Sequence, residues 1–226
     1  AACRVAERIT QRDGAGRAIA LRLDVTNESE VEEAFQRVCL TWGGLDVLVS
    51  NAGIAHAAPI VELSLRDWQR SFDVNATGHF LVGRAALRLM QAQGLGGSIV
   101  FNATKNVTAP GKDFGAYSAS KAAEAQLCRI IAIEGGAFGV RANMVNPDAV
   151  FSTRLWSPEL RAQRAQAQGI PAAEIERFYA SRNLLKTSVS AEDVAEAICW
   201  LASDRAAKTT GAMIPVDGGV REAFPR

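Results

Sequence analysis

Apolar runs of strand length alternate along this chain with stretches of helical period, and that alternation constrains the fold more than any other feature. Leu45–Ser50, Gly97–Thr104 and Val140–Asn146 read as buried strands, and Ala212–Val216 as the last one. Arg17-Ala-Ile-Ala-Leu-Arg-Leu-Asp24 alternates apolar and polar residues, as a half-buried strand does. Between these runs, Ser29–Trp42 has helical period and stops at Gly43-Gly44. Ser64-Leu-Arg-Asp67 and Ser190-Ala-Glu-Asp193 are capping-box patterns that open two further helices, the first running through Asn75 to about Gln93, with or without a break, and the second ending near Ser203. Ala2–Gln11 looks like the end of a helix. Strand and helix in this order predict parallel βαβ units, and hence an α/β fold with a doubly wound parallel sheet.

Composition narrows the function. With 226 residues and 48% apolar content the chain is ample for one domain with a real core. A net charge of +1 makes no electrostatic case for nucleic acid or an anionic membrane, and the basic run Arg161–Arg164 reads as a solvated helix face. Cys3, Cys39, Cys128 and Cys199 are scattered, with no Cys-x-x-Cys and no nearby histidine, so no metal is expected and a reduced, cytoplasmic setting fits best. His56 and His79 read as structural or surface residues. One segment breaks the rhythm. Residues 151–186 hold two polar helical stretches, Glu159–Gln168 and Ala172–Asn183, with no strand between them. An insertion beyond a strand's C-terminal end lies where α/β folds bind ligands, which suggests a substrate lid; a surface excursion is the alternative.

The chemistry concentrates in Gly115-Ala-Tyr-Ser-Ala-Ser-Lys-Ala-Ala123, where Tyr117 and Lys121 fall at i and i+4 on one helix face. An ammonium beside a phenol favours the phenolate, so the tyrosine's pKa is expected to fall toward the range useful for proton exchange with a substrate. Upstream, one strand runs into Asn51-Ala52-Gly53. A helical stretch carries Phe72-Asp-Val-Asn75, and a second strand ends at the hydroxyl of Thr104.

These motifs, in this order and continuing through Asn146-Pro147 to Val216-Asp-Gly-Gly219, resemble the short-chain dehydrogenase/reductase family over essentially the whole chain. The resemblance implies a Rossmann-like sheet and hydride exchange with NAD or NADP, NAD slightly favoured. It makes Tyr117 the general acid/base, Lys121 the residue that holds the nicotinamide ribose, and Thr104 the polarising hydroxyl where the family usually has serine. Asn75 matches the family's helix-bending asparagine, with either a proton-relay or a purely structural role. Asn51, Ala52 and Gly53 fit the cofactor loop, Asp24 and Val25 the adenine contact, and Pro147 and Val150 the nicotinamide flank. Ser152, or equally Thr153, supplies the hydroxyl that follows. Asp148 stands where glycine is usual and places a carboxylate by the cofactor or the substrate mouth. Lys105 and Asn106 point toward the site and suit a polar, oxygen-rich substrate. A small-molecule substrate and a homodimer or homotetramer are also implied.

The family begins with a strand, a glycine-rich phosphate-binding turn, a helix and a second strand, in sheet order 3-2-1-4-5-6-7. This chain shows none of that unit, so it is expected to be an N-terminally truncated domain, residues 1–226, with an orphaned strand at 18–24 and weakened cofactor binding. Asn102–Asn106, Pro110–Gly115, Asn146–Ala149 and the ending Pro215–Arg226 look most like the dehydrogenase half of bifunctional rhamnulose-1-phosphate aldolase/short-chain dehydrogenases. That likeness suggests lactaldehyde or a sugar as substrate. The alternative is a catalytically silent remnant that acts only in assembly.

Overall fold

The computed structural model describes residues 2–224; Pro225 and Arg226, the end of the terminal motif, lie outside the described residues. Four strands, β1 (Val47–Ser50), β2 (Gly97–Asn102), β3 (Val140–Pro147) and β4 (Met213–Val216), form one sheet in the order β1-β2-β3-β4. Every pair is parallel, with Val47 opposite Ser98, Gly97 opposite Val140 and Met144 opposite Met213. The helices are α1 (Ala2–Asp13), α2 (Glu28–Trp42), α3 (Leu65–Phe72), α4 (His79–Gln93), α5 (Gly115–Gly135), α6 (Pro158–Gln168), α7 (Ile175–Arg182) and α8 (Ala191–Ala202).

Side chains of β2 point alternately to the two faces, as the strand repeat of two requires. Ile99 and Phe101 pack with Met90, Cys128 and Met144 under α4 and α5, whereas Val100 and Val145 pack with Val194 and Leu201 under α8. Burying Phe101 completely contributes about 2–3 kcal/mol. The layers are helix, sheet, helix. The helix starts follow local chemistry. Asn27 accepts from the amides of Ser29 and Glu30 at the start of α2, and Ser190 forms a full capping box with Asp193 on α8. Gly43 closes α2 in the left-handed conformation, at φ 84°.

One expectation is corrected. Residues 17–24 form no strand, and Ile19, Leu21 and Leu23 are each more than a third exposed. Alternation alone makes no strand, because a ladder needs a neighbour, and β1 pairs only with β2 among the described residues. The helical stretch from Ser64 to Gln93 does break, as the sequence allows. Between α3 and α4, Asp73–Gly78 winds as a π-helix with Asn75 inside it. The insertion folds as α6, a 3₁₀ turn at Ala172–Glu174 and α7. It has its own core, in which Phe151 stacks on Trp156 at 4.1 Å between ring centres and Tyr179 stands edge-on to both.

Candidate active site

The C-terminal ends of β1, β2 and β3 open into one cavity of about 550 Å³, walled by the start of α5 and roofed by residues from α6 and α7. Asn51, Gly53, Thr104, Tyr117, Lys121, Pro147 and Val150 line it together, although they lie up to a hundred residues apart in sequence. Lys105, Asn106, Asp148, Thr153 and Trp156 line it too. The parallel sheet explains this convergence, since every strand delivers its C-terminal loop to the same edge.

Tyr117 and Lys121 are buried on the inner face of α5. Lys121 Nζ donates to the carbonyl of Asn102 at 2.8 Å and lies 2.6 Å from Glu124 Oε2. The phenol of Tyr117 does not have the lowered pKa that the motif suggests. Burial raises it, and this outweighs the lowering by Lys121 and by a side-chain hydrogen bond with Thr104, while Glu124 and Asp148 push it further up. The spacing of the motif locates the cation but says nothing of how dry the helix face is.

Asn75 sits directly behind the cavity, fully buried. Its Oδ1 accepts from the Ile54 amide at 2.9 Å, and its Nδ2 donates to the Ile54 carbonyl at 2.9 Å and to Ser120 Oγ at 3.1 Å. The π-helix shifts the helix register so that this amide faces the loop after β1. A Cβ built on Gly53 would stand 3.4 Å from Asn75 Oδ1 and 3.7 Å from Lys121 Nζ, so loop, asparagine and lysine meet at one point.

Other sequence candidates lie elsewhere. Asp24 is exposed, and its carboxylate accepts from the amide and hydroxyl of Thr26 in a local turn. Val25 packs with Val31, Leu81 and Val82. Ala52 lies beside the cavity without lining it. Ser152 is exposed and does not line it either, so of the two candidate hydroxyls it is Thr153 that faces the cavity. His56 is exposed, 4.0 Å from Asp67. His79 is the surprise. It is buried, bridges Ser50 and Ala52, and approaches Glu124. Glu124 was legible only as a charged residue on the same helix stripe as Tyr117 and Lys121.

The far end of the cavity is rich in cations. Lys105 is buried and donates to the Ala109 carbonyl at 2.9 Å; burial lowers its pKa, and Asp148 partly offsets this. Arg182 pairs with Asp148 at 3.0 Å, and Arg164 reaches Asp113 at 3.5 Å. Lys112 and Arg154 add positive charge to the lining, and Asp148 and Glu222 supply the negative charge. No helix among the described residues is long and apolar enough to cross a membrane.

The arrangement agrees with the comparisons. A family profile described as Enoyl-(Acyl carrier protein) reductase matches residues 2–221. The uncharacterized oxidoreductase YuxG of Bacillus subtilis is 46% identical over 224 residues, a match covering 99% of this chain and 32% of that protein. The chain thus spans about a third of the length of this relative. Cis-4-hydroxycyclohexanecarboxylate dehydrogenase of Sinomonas cyclohexanicum is 38% identical over 210 residues, covering 92% of this chain and 78% of that protein. The crystal structure of sorbitol-6-phosphate 2-dehydrogenase SrlD from Erwinia amylovora superposes with a TM-score of 0.92 at 34% identity, covering 96% of this chain and 85% of that chain. The chain belongs to the short-chain dehydrogenase/reductase family.

Proposed function

We propose that this chain carries the catalytic half of an NAD- or NADP-dependent oxidoreductase that interconverts a small polar alcohol and its carbonyl. The observation that carries the reading is the convergence of Thr104, Tyr117 and Lys121 on one cavity, next to Asn51 and Gly53. The residues present fit the nicotinamide–ribose half of the cofactor. Gly53 leaves the loop without a side chain over Lys121, and Asn51 and Lys121 offer polar atoms to a ribose. When bound there, a nicotinamide supplies the hydride acceptor or donor. Tyr117 Oη takes the hydroxyl proton in oxidation and returns it in reduction. The Thr104 hydroxyl holds the reacting oxygen, its χ1 stiffened by the β-methyl. Lys121 favours the phenolate, and Asn75 fixes the loop that faces it.

The cations around Lys105 suit a substrate rich in oxygen, such as a sugar, a polyol or a hydroxy-aldehyde like lactaldehyde. Residues 151–186 act as the lid, since Trp156, Leu160 and Arg182 all reach the cavity from there. The length of the Bacillus subtilis relative supports a dehydrogenase fused to a second activity, as in the aldolase/dehydrogenase fusions. In the test, Tyr117→Phe is expected to lower turnover more than a thousandfold, about 4 kcal/mol, with unchanged circular dichroism. Retained turnover in that variant refutes the reading.

A further inference from the structure

The stripe of α5 that carries Tyr117 and Lys121 continues behind the cavity into titratable groups that the proposed chemistry does not use. Tyr117, Lys121, Glu124 and Cys128 form one buried stripe along α5. Glu124 is fully buried, with Oε2 2.6 Å from Lys121 Nζ and Oε1 3.6 Å from His79 Nδ1. Burying a lysine–carboxylate pair generally contributes less to stability than apolar residues of the same volume.

The tautomer of His79 follows from its neighbours. Its Nε2 lies 2.8 Å from the Ala52 carbonyl, which can only accept, so Nε2 carries the proton. Nδ1 then accepts from the Ser50 hydroxyl at 2.6 Å and has no proton for Glu124. Burial and Lys121 together lower its pKa to about 3, so the ring stays neutral. Oε1 finds no donor among the described residues. Lys121 is the one charged partner facing the carboxylate there.

We propose that Glu124 is a positioning residue for Lys121: its carboxylate draws the ammonium against the Asn102 carbonyl and offsets its charge, so that the charge state of Glu124 sets how strongly Lys121 favours the phenolate of Tyr117. This rests on the Tyr117–Lys121 reading above. The groups facing Glu124 are Lys121, Cys128 and Tyr117 on its own helix and His79 on α4. Burial, with help from Glu124, pushes the Cys128 thiol up to about 12, so it stays neutral. Burial likewise raises the Glu124 carboxyl to about 7. Glu124 is thus a member of this cluster that changes charge near neutral pH. Protonated, it leaves the ammonium free to act on the phenol; ionised, it opposes phenolate formation.

The chain has two tyrosines, Tyr117 and Tyr179, so the phenol can be followed directly. In chain labelled with ¹³Cζ-tyrosine, and with the Tyr179 signal assigned through Tyr179→Phe, the Tyr117 resonance is expected to show an inflection near pH 7. Glu124→Gln should abolish that inflection and shift the acid limb of kcat/KM for alcohol oxidation down by about one pH unit, close to tenfold in rate on that limb. A purely structural Glu124 predicts no inflection in the unsubstituted chain and no shift of the limb in the variant; either result overturns the proposal. The resonance measurement needs no turnover, so it decides the role of Glu124 even where Tyr117→Phe retains activity and refutes the reading of Tyr117 itself.

Discussion

Asn75→Ala isolates the structural demand made by the π-helix. Asn75 is fully buried, and its side chain satisfies both backbone groups of Ile54 as well as meeting Ser120 Oγ. Alanine cannot replace any of these bonds. Two backbone groups lose their partners at about 1–2 kcal/mol each, and the lost side-chain contacts add about 1 kcal/mol, for a total of about 3–5 kcal/mol. With a urea slope of about 2–3 kcal/mol per molar, the unfolding midpoint should fall by more than about 1 M at unchanged slope. Asn75→Asp should cost at least as much, because it keeps the acceptor for the Ile54 amide but loses both donated bonds and buries a charge. A loss below about 1 kcal/mol for Asn75→Ala would refute the reasoning, by showing that Ile54 is satisfied without the side chain.

Two further outcomes follow from the buried histidine and from a close backbone contact. The folded-state pKa of His79, about 3, lies below its unfolded value of 6.5, so the unfolded chain binds the extra proton and stability should fall as pH drops from about 6.5 toward 3. Glu124, raised from 4.5 to about 7, has the opposite slope between those values, so in thermal melts His79→Gln should lose less stability on acidification than the parent chain. Gly96 has φ 75°, and a Cβ there would stand 2.7 Å from the Gly139 carbonyl oxygen, whereas a Cβ on Gly139, at φ 71°, would meet the Gly96 Cα at an ordinary contact of 3.5 Å. Gly96→Ala is therefore expected to lower Tm by about 6 °C or more and Gly139→Ala by about half that; equal losses would show that φ alone decides the cost.

Much of this fold was legible because its signals are local. The apolar runs at 97–102 and 140–147 became central strands, and Ser64 and Ser190 cap helices through bonds to their own Asp67 and Asp193. The two polar stretches after Phe151 became α6 and α7. Residues 17–24 misled because alternation records a face and not a partner strand. A bend at Asn75 was legible, but its form as a π-helix at Asp73–Gly78 was not, because that form answers a tertiary demand, the backbone of Ile54, rather than propensity. At the site, Tyr117 and Lys121 announced themselves by spacing, and Thr104 and Gly53 by the family resemblance of their motifs. The direction of the Tyr117 pKa did not, because burial on folding outweighs the neighbouring cation. The link from Ser50 through His79 to Glu124 joins residues on three separate elements, and each taken singly reads as unremarkable.

The segment over the cavity is held in two different ways. Inside, Phe151, Trp156, Ile175 and Tyr179 make an apolar nucleus of their own. Its attachment to the rest of the molecule is largely polar: Arg182 to Asp148, Arg164 to the Lys112 carbonyl and Gln163 to the Ala57 carbonyl, with Leu160 against Tyr117 and Phe114 as the apolar anchor. Ionic strength and temperature therefore act on different parts of it. Salt screens the Arg182–Asp148 pair but leaves the aromatic nucleus untouched. For the lid proposed above, the expected consequence is that access to the cavity follows ionic strength, separately from the stability of the fold beneath.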